Sequence, residues 1–299
     1  MNYYNKIKDE LINKEVYCKV KDYSKNNYEL ETYYKIGKLL IEAQGGTSRA
    51  KYGDNLIKEY SLKLVKEVGK KYDVTMLKRI RQFYLLIEKG APLGHQLTWS
   101  HYRELLPIKD LNEIIYYINI CISKNLTKRE LINKIKSKEY ERLDENAKKK
   151  IINKEKLSIK DEIKHPIIIK NKYNTEDITE KMLKGLIIEN IETFLKELGT
   201  GFCYIESEYK IKIGTNYNYI DILLFNIKYN CYVVIELKVT ILKKEHIGQI
   251  ETYMNYIDKN LKTIYQDKTI GIIITKKNNL FIIEYCSDPR IYNTTYELV

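Results

Sequence analysis

Apolar residues recur at helical spacing through the first part of the chain, from about residue 27 to residue 140. Ile36 and Leu40 lie on one such face, and the Gly45-Gly46 pair that follows is typical of a helix end. Short polar or glycine-bearing segments separate further faces of the same kind. The pattern predicts an all-helical domain over residues 1–143.

Polar residues mark the starts of further helices in this domain. The predicted starts are Asp54, either Asp73 or Thr75, Asp110 and Thr127. Thr127 and Glu130 have the spacing of a capping box, in which each side chain satisfies a free backbone N–H group near the other residue.

The helix predicted after Asp73 is basic, because it carries Lys78, Arg79 and Arg81. With the preceding turn it fits the second helix of a helix-turn-helix motif, which reads DNA. A basic, solvated face on an ordinary bundle helix explains the same residues. The three are therefore candidate nucleic-acid contacts, in a domain that serves either DNA binding or assembly into a homo-oligomer.

The middle of the chain is dominated by Lys, Asn, Asp and Glu over residues 144–174, with one apolar patch at residues 167–169. We predict a polar linker there. A long amphipathic helix is predicted next, from Glu176 to Gly199, where a glycine ends the pattern.

The last part of the chain changes from helical spacing to short apolar runs. These runs are residues 202–206, 219–225, 231–237, 270–275 and 280–285. Runs that are apolar on both faces are typical of inner strands covered by helices. With a helix over residues 245–261, they predict an α/β domain with a mixed sheet, spanning residues 175–299.

Composition narrows the class of partner. The chain has 299 residues, of which 44% are hydrophobic, and a net charge of +12. The positive charge favours a polyanionic partner, nucleic acid before a membrane surface. The same excess of Lys, with 28 Tyr, is also what AT-rich codons would supply, so charge alone does not decide. The first residues lack an apolar signal core, and no long apolar run occurs, which predicts a cytoplasmic protein without a membrane span.

The cysteines and histidines offer no metal site. The five cysteines are scattered, which predicts buried free thiols in a reducing compartment: Cys18, Cys121, Cys203, Cys231 and Cys286. The four histidines have no partner at zinc-ligand spacing: His95, His101, His165 and His246.

Candidate chemistry lies on two of the predicted strands. Asp221 begins one apolar run, and Glu236-Leu237-Lys238 ends the next. Because strand side chains alternate, Glu236 and Lys238 share one face while Leu237 points into the core. A hairpin between the two runs would place Asp221 beside Glu236. Two carboxylates suit Mg²⁺, or Mn²⁺, and the lysine could steady an attacking water or offset phosphate charge.

The spacing of Glu236 and Lys238 is weak evidence by itself. The same spacing occurs at 162–164 and at 208–210 in this Lys-rich chain. A solvated strand end with an ordinary ion pair is the alternative explanation. The context favours a functional site at Glu236 and Lys238, because this charged pair interrupts an apolar strand and Asp221 lies at hairpin distance.

Eight strings, in order along the chain, add to this context. They are YYKIGKLLIEAQ (33–44), AKYGDNLI (50–57), QLTWSHYRELLPI (96–108), FLKELGTGF (194–202), YIDILLF (219–225), CYVVIELK (231–238), GQIETYMNYID (248–258) and TIGIIIT (269–275). They resemble the YhcG-like bacterial proteins, in which a helical DUF1016-type domain precedes a PD-(D/E)xK nuclease domain with a restriction-endonuclease-like fold.

The resemblance implies roles for individual residues. Asp221, Glu236 and Lys238 would be the D and the E-x-K of the nuclease signature, with the metal on the two carboxylates. Gln249 fits a polar position that often faces the site in such nucleases, although a solvent-exposed helix start explains it equally well. DNA is the substrate that the resemblance implies.

Two positions depart from the family pattern. Lys184 stands where an acidic residue is expected, and Glu208 stands where a glutamine is more usual. The leading hypothesis is a metal-dependent DNA nuclease. The alternative is a nucleic-acid-binding or assembly protein whose nuclease fold no longer cuts, which the lysine at 184 favours and the intact Asp221, Glu236 and Lys238 oppose.

Overall fold

A computed structural model of the chain shows two compact units, residues 1–140 and 141–299. The described residues are 3–20, 25–46, 53–94, 96–153, 155–173, 175, 177–285 and 288–299. His95, Cys286 and the predicted helix start at Glu176 lie outside them, as do the predicted linker end at Asn174 and part of the string at 50–57.

The first unit is helical throughout its regular elements, as predicted. Its helices are α1 (Tyr3–Val20), α2 (Lys25–Ala43), α3 (Gly53–Glu67), α4 (Val74–Glu88), α5 (Trp99–Leu105), α6 (Leu111–Lys124) and α7 (Lys128–Lys136). Asp73, Asp110 and Thr127 are N-caps, and Thr127 forms its predicted capping box with Glu130. Helix α1, which has a weak apolar pattern, was not predicted.

Aromatic rings form the centre of this first unit. Trp99 packs its ring 4.7 Å from Tyr33 and 5.5 Å from Phe83, measured between centroids. Helices α2 and α4 approach closely at Gly37, where a Cβ would lie 2.4 Å from the Cβ of Tyr84. Any side chain at position 37 would therefore push these two helices apart.

The second unit is built on a six-stranded mixed sheet with the order β1-β6-β5-β4-β3-β2. Its strands are β1 (Ile167–Ile169), β2 (Phe202–Ile213), β3 (Asn216–Asn226), β4 (Cys231–Ile241), β5 (Asp267–Lys277) and β6 (Ile291–Leu298). Strands β2, β3 and β4 are antiparallel neighbours, and β4, β5, β6 and β1 pair in parallel. This confirms the predicted α/β class.

Helices cover both faces of this sheet. They are α8 (Glu145–Ile152), α9 (Ile159–Glu162), α10 (Glu180–Glu189), α11 (Ile191–Leu198), α12 (Lys244–Asn260) and α13 (Leu280–Glu284). One core packs α10 and α11 against a sheet face that includes Leu237. The other core packs α12 against the opposite face, which includes Val234. Strand β4 is therefore buried on both sides, as its apolar run predicted.

The predicted polar linker differs from the structure. Residues 144–174 belong to the second unit, where β1 adds a parallel strand beside β6 and Ile159 and Ile163 enter the core. Several of its polar side chains are paired within this unit. Lys150 lies 2.8 Å from Asp161, and the buried Lys164 donates to the Lys196 carbonyl at 2.9 Å. The polar composition of residues 144–174 therefore did not indicate that this segment packs into the second unit.

Two further predictions are corrected. The single long helix is two helices, α10 and α11, separated at Asn190, whose φ of −121° and ψ of 36° are not helical. The run at 280–285 is helix α13 and not a strand. The last strand is β6, which contains too many polar residues to be recognised by its apolar pattern.

The cysteines agree only in part with the prediction of buried thiols. Cys121 and Cys231 are free and buried, whereas Cys203 is free but exposed on β2. Within the described ranges, no helix has the length and apolar character needed to cross a membrane.

Candidate active site at the β3–β4 hairpin

Strands β3 and β4 bring the two predicted carboxylates together. Ile222 on β3 pairs with Ile235 on β4 in an antiparallel register, and Asp221 and Glu236 are the next residues on the two strands. Side chains opposite each other on antiparallel strands share a face. The hairpin predicted from the sequence therefore exists, and it places Asp221 and Glu236 side by side.

The third predicted residue, Lys238, joins this cluster through Glu236. Its Nζ lies 2.8 Å from Glu236 Oε1 and 3.5 Å from Oε2 of Glu180 on α10. Leu237 lies between them and points into the opposite core, as strand alternation requires. The contact with Glu180 was not predicted, because it depends on how α10 packs on the sheet.

Asp221 is held by two donors. Its Oδ2 accepts the backbone N–H of Leu237 at 2.9 Å, and its Oδ1 lies 3.3 Å from Lys184 Nζ. Lys184 also lies 2.7 Å from Oε1 of Glu208. The two positions that depart from the expected family pattern therefore face each other, and one of them contacts a predicted metal ligand.

Glu236 is the most perturbed acid of the cluster. It is only 2% exposed, and its Oε2 is buried without a hydrogen-bond partner. Burial raises the pKa of its carboxyl group to about 7, and the negative charge of Asp221 adds to the rise against the opposing effect of Lys238. A buried carboxylate with an unused oxygen beside a second carboxylate is a costly arrangement unless a cation neutralises it.

This arrangement fits a divalent metal ion. Asp221 and Glu236 would supply hard oxygen ligands, and Glu236 Oε2 is the oxygen left without another partner. Among the described residues, no group of three or more His, Cys, Asp and Glu side chains forms a complete ligand set. An ion here would therefore take its remaining ligands from water and from a bound phosphate, as Mg²⁺ commonly does.

Helix α12 forms the wall beside these carboxylates. Gln249 donates from Nε2 to the hydroxyl of Tyr253 at 3.0 Å. Burial raises the pKa of Tyr253, and the charges of Glu236 and Asp221 contribute, so this hydroxyl is within their electrostatic reach. His246 on the same helix has a lowered pKa, because of burial and then the charge of Lys238. Neither Tyr253 nor His246 was singled out from the sequence.

The basic residues predicted in the first unit lie on α4. Lys78, Arg79 and Arg81 are half-buried, and Arg81 donates to Oε1 of Gln44 at 3.3 Å. A partly buried arginine with a protein partner is less available to phosphate than a fully solvated one. A role for these three residues in binding nucleic acid stays a prediction.

The burial of Glu236 predicts a pH-dependent stability. Its folded pKa of about 7 exceeds the ordinary 4.5, so the folded state binds this proton more tightly than the unfolded chain. The stabilisation is complete below about pH 4.5 and disappears as pH rises through about 7, a loss on the order of 3 kcal/mol. Without divalent ions, urea unfolding should show wild type losing stability over this range.

Glu236→Gln should remove most of this pH dependence, since an amide resembles the protonated carboxyl group. Glu245→Gln, at an exposed glutamate on α12, is the matched control and should behave like wild type. If the stability difference between wild type and Glu236→Gln is the same at low and at neutral pH, the buried carboxyl group does not titrate in this way.

Two family models match this chain. The DUF1016 N-terminal domain matches residues 13–142, and the YhcG PDDEXK nuclease domain matches residues 160–297. The second match includes Asp221, Glu236 and Lys238. It confirms the predicted nuclease domain of the restriction-endonuclease-like α/β class.

Similar proteins are also found among curated sequences and solved structures. Putative nuclease YhcG of Escherichia coli (strain K12) is 23% identical over 282 residues, covering 81% of this chain and 75% of that protein. A repair endonuclease from Pyrococcus abyssi is 19% identical over 41% of this chain, with a TM-score of 0.30. EndoMS in a complex with double-stranded DNA is 21% identical over 43%, with a TM-score of 0.29. The matches span about half of each solved chain (49% and 48%).

Proposed function

We propose that this chain is a Mg²⁺- or Mn²⁺-dependent nuclease that hydrolyses phosphodiester bonds in DNA. The chain belongs to the proteins with a DUF1016 N-terminal domain and a YhcG PDDEXK nuclease domain. One observation carries the proposal. Asp221, Glu236 and Lys238 meet where the pairing between β3 and β4 ends, and Glu236 Oε2 is buried beside Asp221 with no hydrogen-bond partner. A divalent cation bound there would satisfy this oxygen and offset the two carboxylate charges.

Each residue then has a distinct role in the hydrolysis. Asp221 and Glu236 would hold the ion, which would activate a water molecule and offset charge on the phosphate. The Leu237 N–H fixes the orientation of the Asp221 carboxylate. Lys238, held by Glu236, presents its ammonium group to the attacking water and to the negative charge that develops on the phosphate oxygens.

The charge of the chain supports a polyanionic substrate, and the choice of DNA rests on the family resemblance. The net charge of +12 favours a phosphate backbone. DNA is proposed because the resemblance implies it. The DUF1016 domain would contribute DNA contacts through Lys78, Arg79 and Arg81, or would assemble the chain into a homo-oligomer.

A second candidate function has one observation in its favour. The ammonium group of Lys184 contacts Asp221 and neutralises part of the charge that would attract a metal ion. If this pair persists, the domain binds nucleic acid without cutting it. The two candidates differ in whether Lys184 moves aside, toward Glu208, when a divalent ion is present.

Cleavage by the full-length protein tests the proposal. Single-stranded, duplex and branched DNA are incubated with Mg²⁺, with Mn²⁺ and with excess chelator. We expect wild type to cut at least one of these substrates only when a metal is present. Lys184→Met, which keeps the side-chain length and removes the charge, should change the rate by less than about tenfold if the lysine normally moves aside.

Lys181→Met is the matched control, since Lys181 is an exposed lysine on the same helix. Cutting by Lys184→Met but not by wild type or Lys181→Met would support the non-cleaving candidate. Absence of cutting by all three proteins on every substrate would contradict the nuclease proposal.

A further inference from the structure

Strands β2 and β3 continue past the active site as a long hairpin. Beyond Asp221, Lys210 pairs with Tyr219 and Lys212 pairs with Tyr217 across the two strands. Strand β2 is an edge of the sheet, so one side of this hairpin has no neighbouring strand in the described sheet. The hairpin therefore presents an open surface next to the catalytic cluster.

The two faces of this hairpin differ sharply. Ile211 and Ile220 are buried in the core beneath α12, and Tyr209 packs against that core. On the opposite face, Tyr217 is 55% exposed and Tyr219 is 52% exposed. Their cross-strand partners, both lysines, are exposed too. Large rings and ammonium groups on a solvated face are not explained by packing.

This exposed face leads directly to the site. Tyr219 precedes Asp221 by two residues on β3, and Asp221 contacts Lys184 of α10, the helix on the sheet face opposite α12. Glu208, which also contacts Lys184, precedes Lys210 by two residues on β2, where its φ of 53° interrupts the regular alternation. At the usual rise per residue, the two Lys–Tyr pairs lie roughly 7 Å and 14 Å from the Asp221 position. The surface is a strip along the hairpin that ends at the carboxylates.

The charges on this strip are concentrated around one ring. Lys210 Nζ lies 3.9 Å from the centroid of the Tyr217 ring, and Lys212 Nζ lies 5.8 Å from it. The ring attracts both ammonium groups and holds two like charges near each other. A phosphodiester would complement that pair, because it brings negative charge without requiring a particular base.

We propose that the face formed by Lys210, Lys212, Tyr217 and Tyr219 is a docking strip for the phosphodiester backbone of DNA, leading the strand to Asp221. The inference rests on the proposed function and adds where the substrate lies. Phosphate contacts position nucleic acid without reading sequence. The strip therefore binds DNA of any sequence.

A second copy of this chain is the competing occupant, since an open edge strand can pair with another edge. Edge lysines oppose this kind of pairing, because a second copy would bring its own lysines against them. The strip carries two lysines on β2 itself. Charge complementarity therefore favours a polyanion over self-association.

Binding is tested with full-length protein in excess chelator, so that cleavage does not interfere. Fluorescence anisotropy of a labelled duplex of arbitrary sequence is measured over a salt series for wild type and for Lys210→Gln combined with Lys212→Gln. Loss of two phosphate contacts should weaken binding and reduce the log–log salt slope by about 2. A duplex of unrelated sequence should show the same loss.

Lys170→Gln combined with Lys259→Gln is the control. It removes two exposed lysines that do not belong to the hairpin, and Lys170 follows β1 at the opposite edge of the sheet. Unfolding midpoints of both double variants should lie close to that of wild type, because all four positions are exposed and cation–π contacts at exposed sites contribute little. Equal slopes and affinities for the hairpin and control variants would overturn the docking strip.

A hairpin variant whose mass in solution changes while its DNA affinity does not would also overturn the docking strip, in favour of self-association.

The test of the docking strip can be distinguished from the test of the nuclease proposal. If hairpin variants lose binding but no substrate is ever cut, the strip stands and the nuclease proposal fails. If wild type cuts and hairpin variants bind and cut equally well, the nuclease proposal stands and the strip fails.

Discussion

Asp221→Asn should abolish metal-dependent DNA cleavage and leave the fold intact. Asparagine keeps an oxygen that can accept the Leu237 N–H, so the hairpin geometry should survive. It loses the charge that would hold a divalent ion beside Glu236, and a weakly held ion leaves its water a poor nucleophile. We expect the rate to fall roughly a thousandfold or more, measured under single-turnover conditions with excess enzyme.

Asp267→Asn is the matched control for this variant. Asp267 is an exposed residue at the start of β5, where it pairs with Cys231 and makes no contact with the proposed metal ligands. Calorimetric titration with Mn²⁺ should show binding by wild type and Asp267→Asn, and greatly weakened binding by Asp221→Asn. Cleavage that continues undiminished in excess chelator would refute the metal mechanism altogether.

Lys238→Ala should reduce the cleavage rate by about two to four orders of magnitude while DNA binding stays near the wild-type value. Its ammonium group is held by Glu236 at 2.8 Å and by Glu180 at 3.5 Å, deep in the cluster. Such a group matters most when charge develops on the phosphate, and it is one contact among many in the ground state. The loss should therefore appear in kcat and not in KM.

A second measurement distinguishes a catalytic role of Lys238 from a purely structural one. Removing Lys238 leaves Glu236 without its nearest positive charge, which had opposed the rise in the pKa of that carboxyl group. The pH profile of the residual activity should therefore shift to higher pH. Lys244→Ala, at an exposed lysine on α12, should change neither rate nor profile. Binding and cleavage that fall together in proportion would make Lys238 a docking residue.

The predicted site depended on short-range rules that the structure obeys. Glu236 and Lys238 share a face because side chains on a strand alternate with a period of two. Asp221 reaches Glu236 because a short turn joins two adjacent runs into a hairpin. Both relations involve residues close together in sequence. The order of strands and helices could be predicted for the same reason.

The strands at the two ends of the second unit, β1 and β6, were not predicted, because they pair across a long separation in sequence. Strand β1 pairs Ile167 with Tyr296, and no local pattern connects such distant segments. Strand β6 contains buried polar residues that are hydrogen-bonded. Asn293 donates to the Ile273 carbonyl at 2.9 Å, and Thr294 donates to the Lys164 carbonyl at 2.8 Å. Buried polar groups are tolerated when they are hydrogen-bonded, which a sequence pattern does not reveal.

The two-domain class and the meeting of Asp221, Glu236 and Lys238 could be predicted, because helix and strand periodicity and hairpin pairing are local properties of the chain. The electrostatics around these three residues could not, because they depend on tertiary packing. Helix α10 brings Lys184 to Asp221 across 37 positions, and burial raises the pKa of Glu236 to about 7. Charge interactions and desolvation act through space, so they depend on which distant segments pack around a residue and not on its neighbours in sequence.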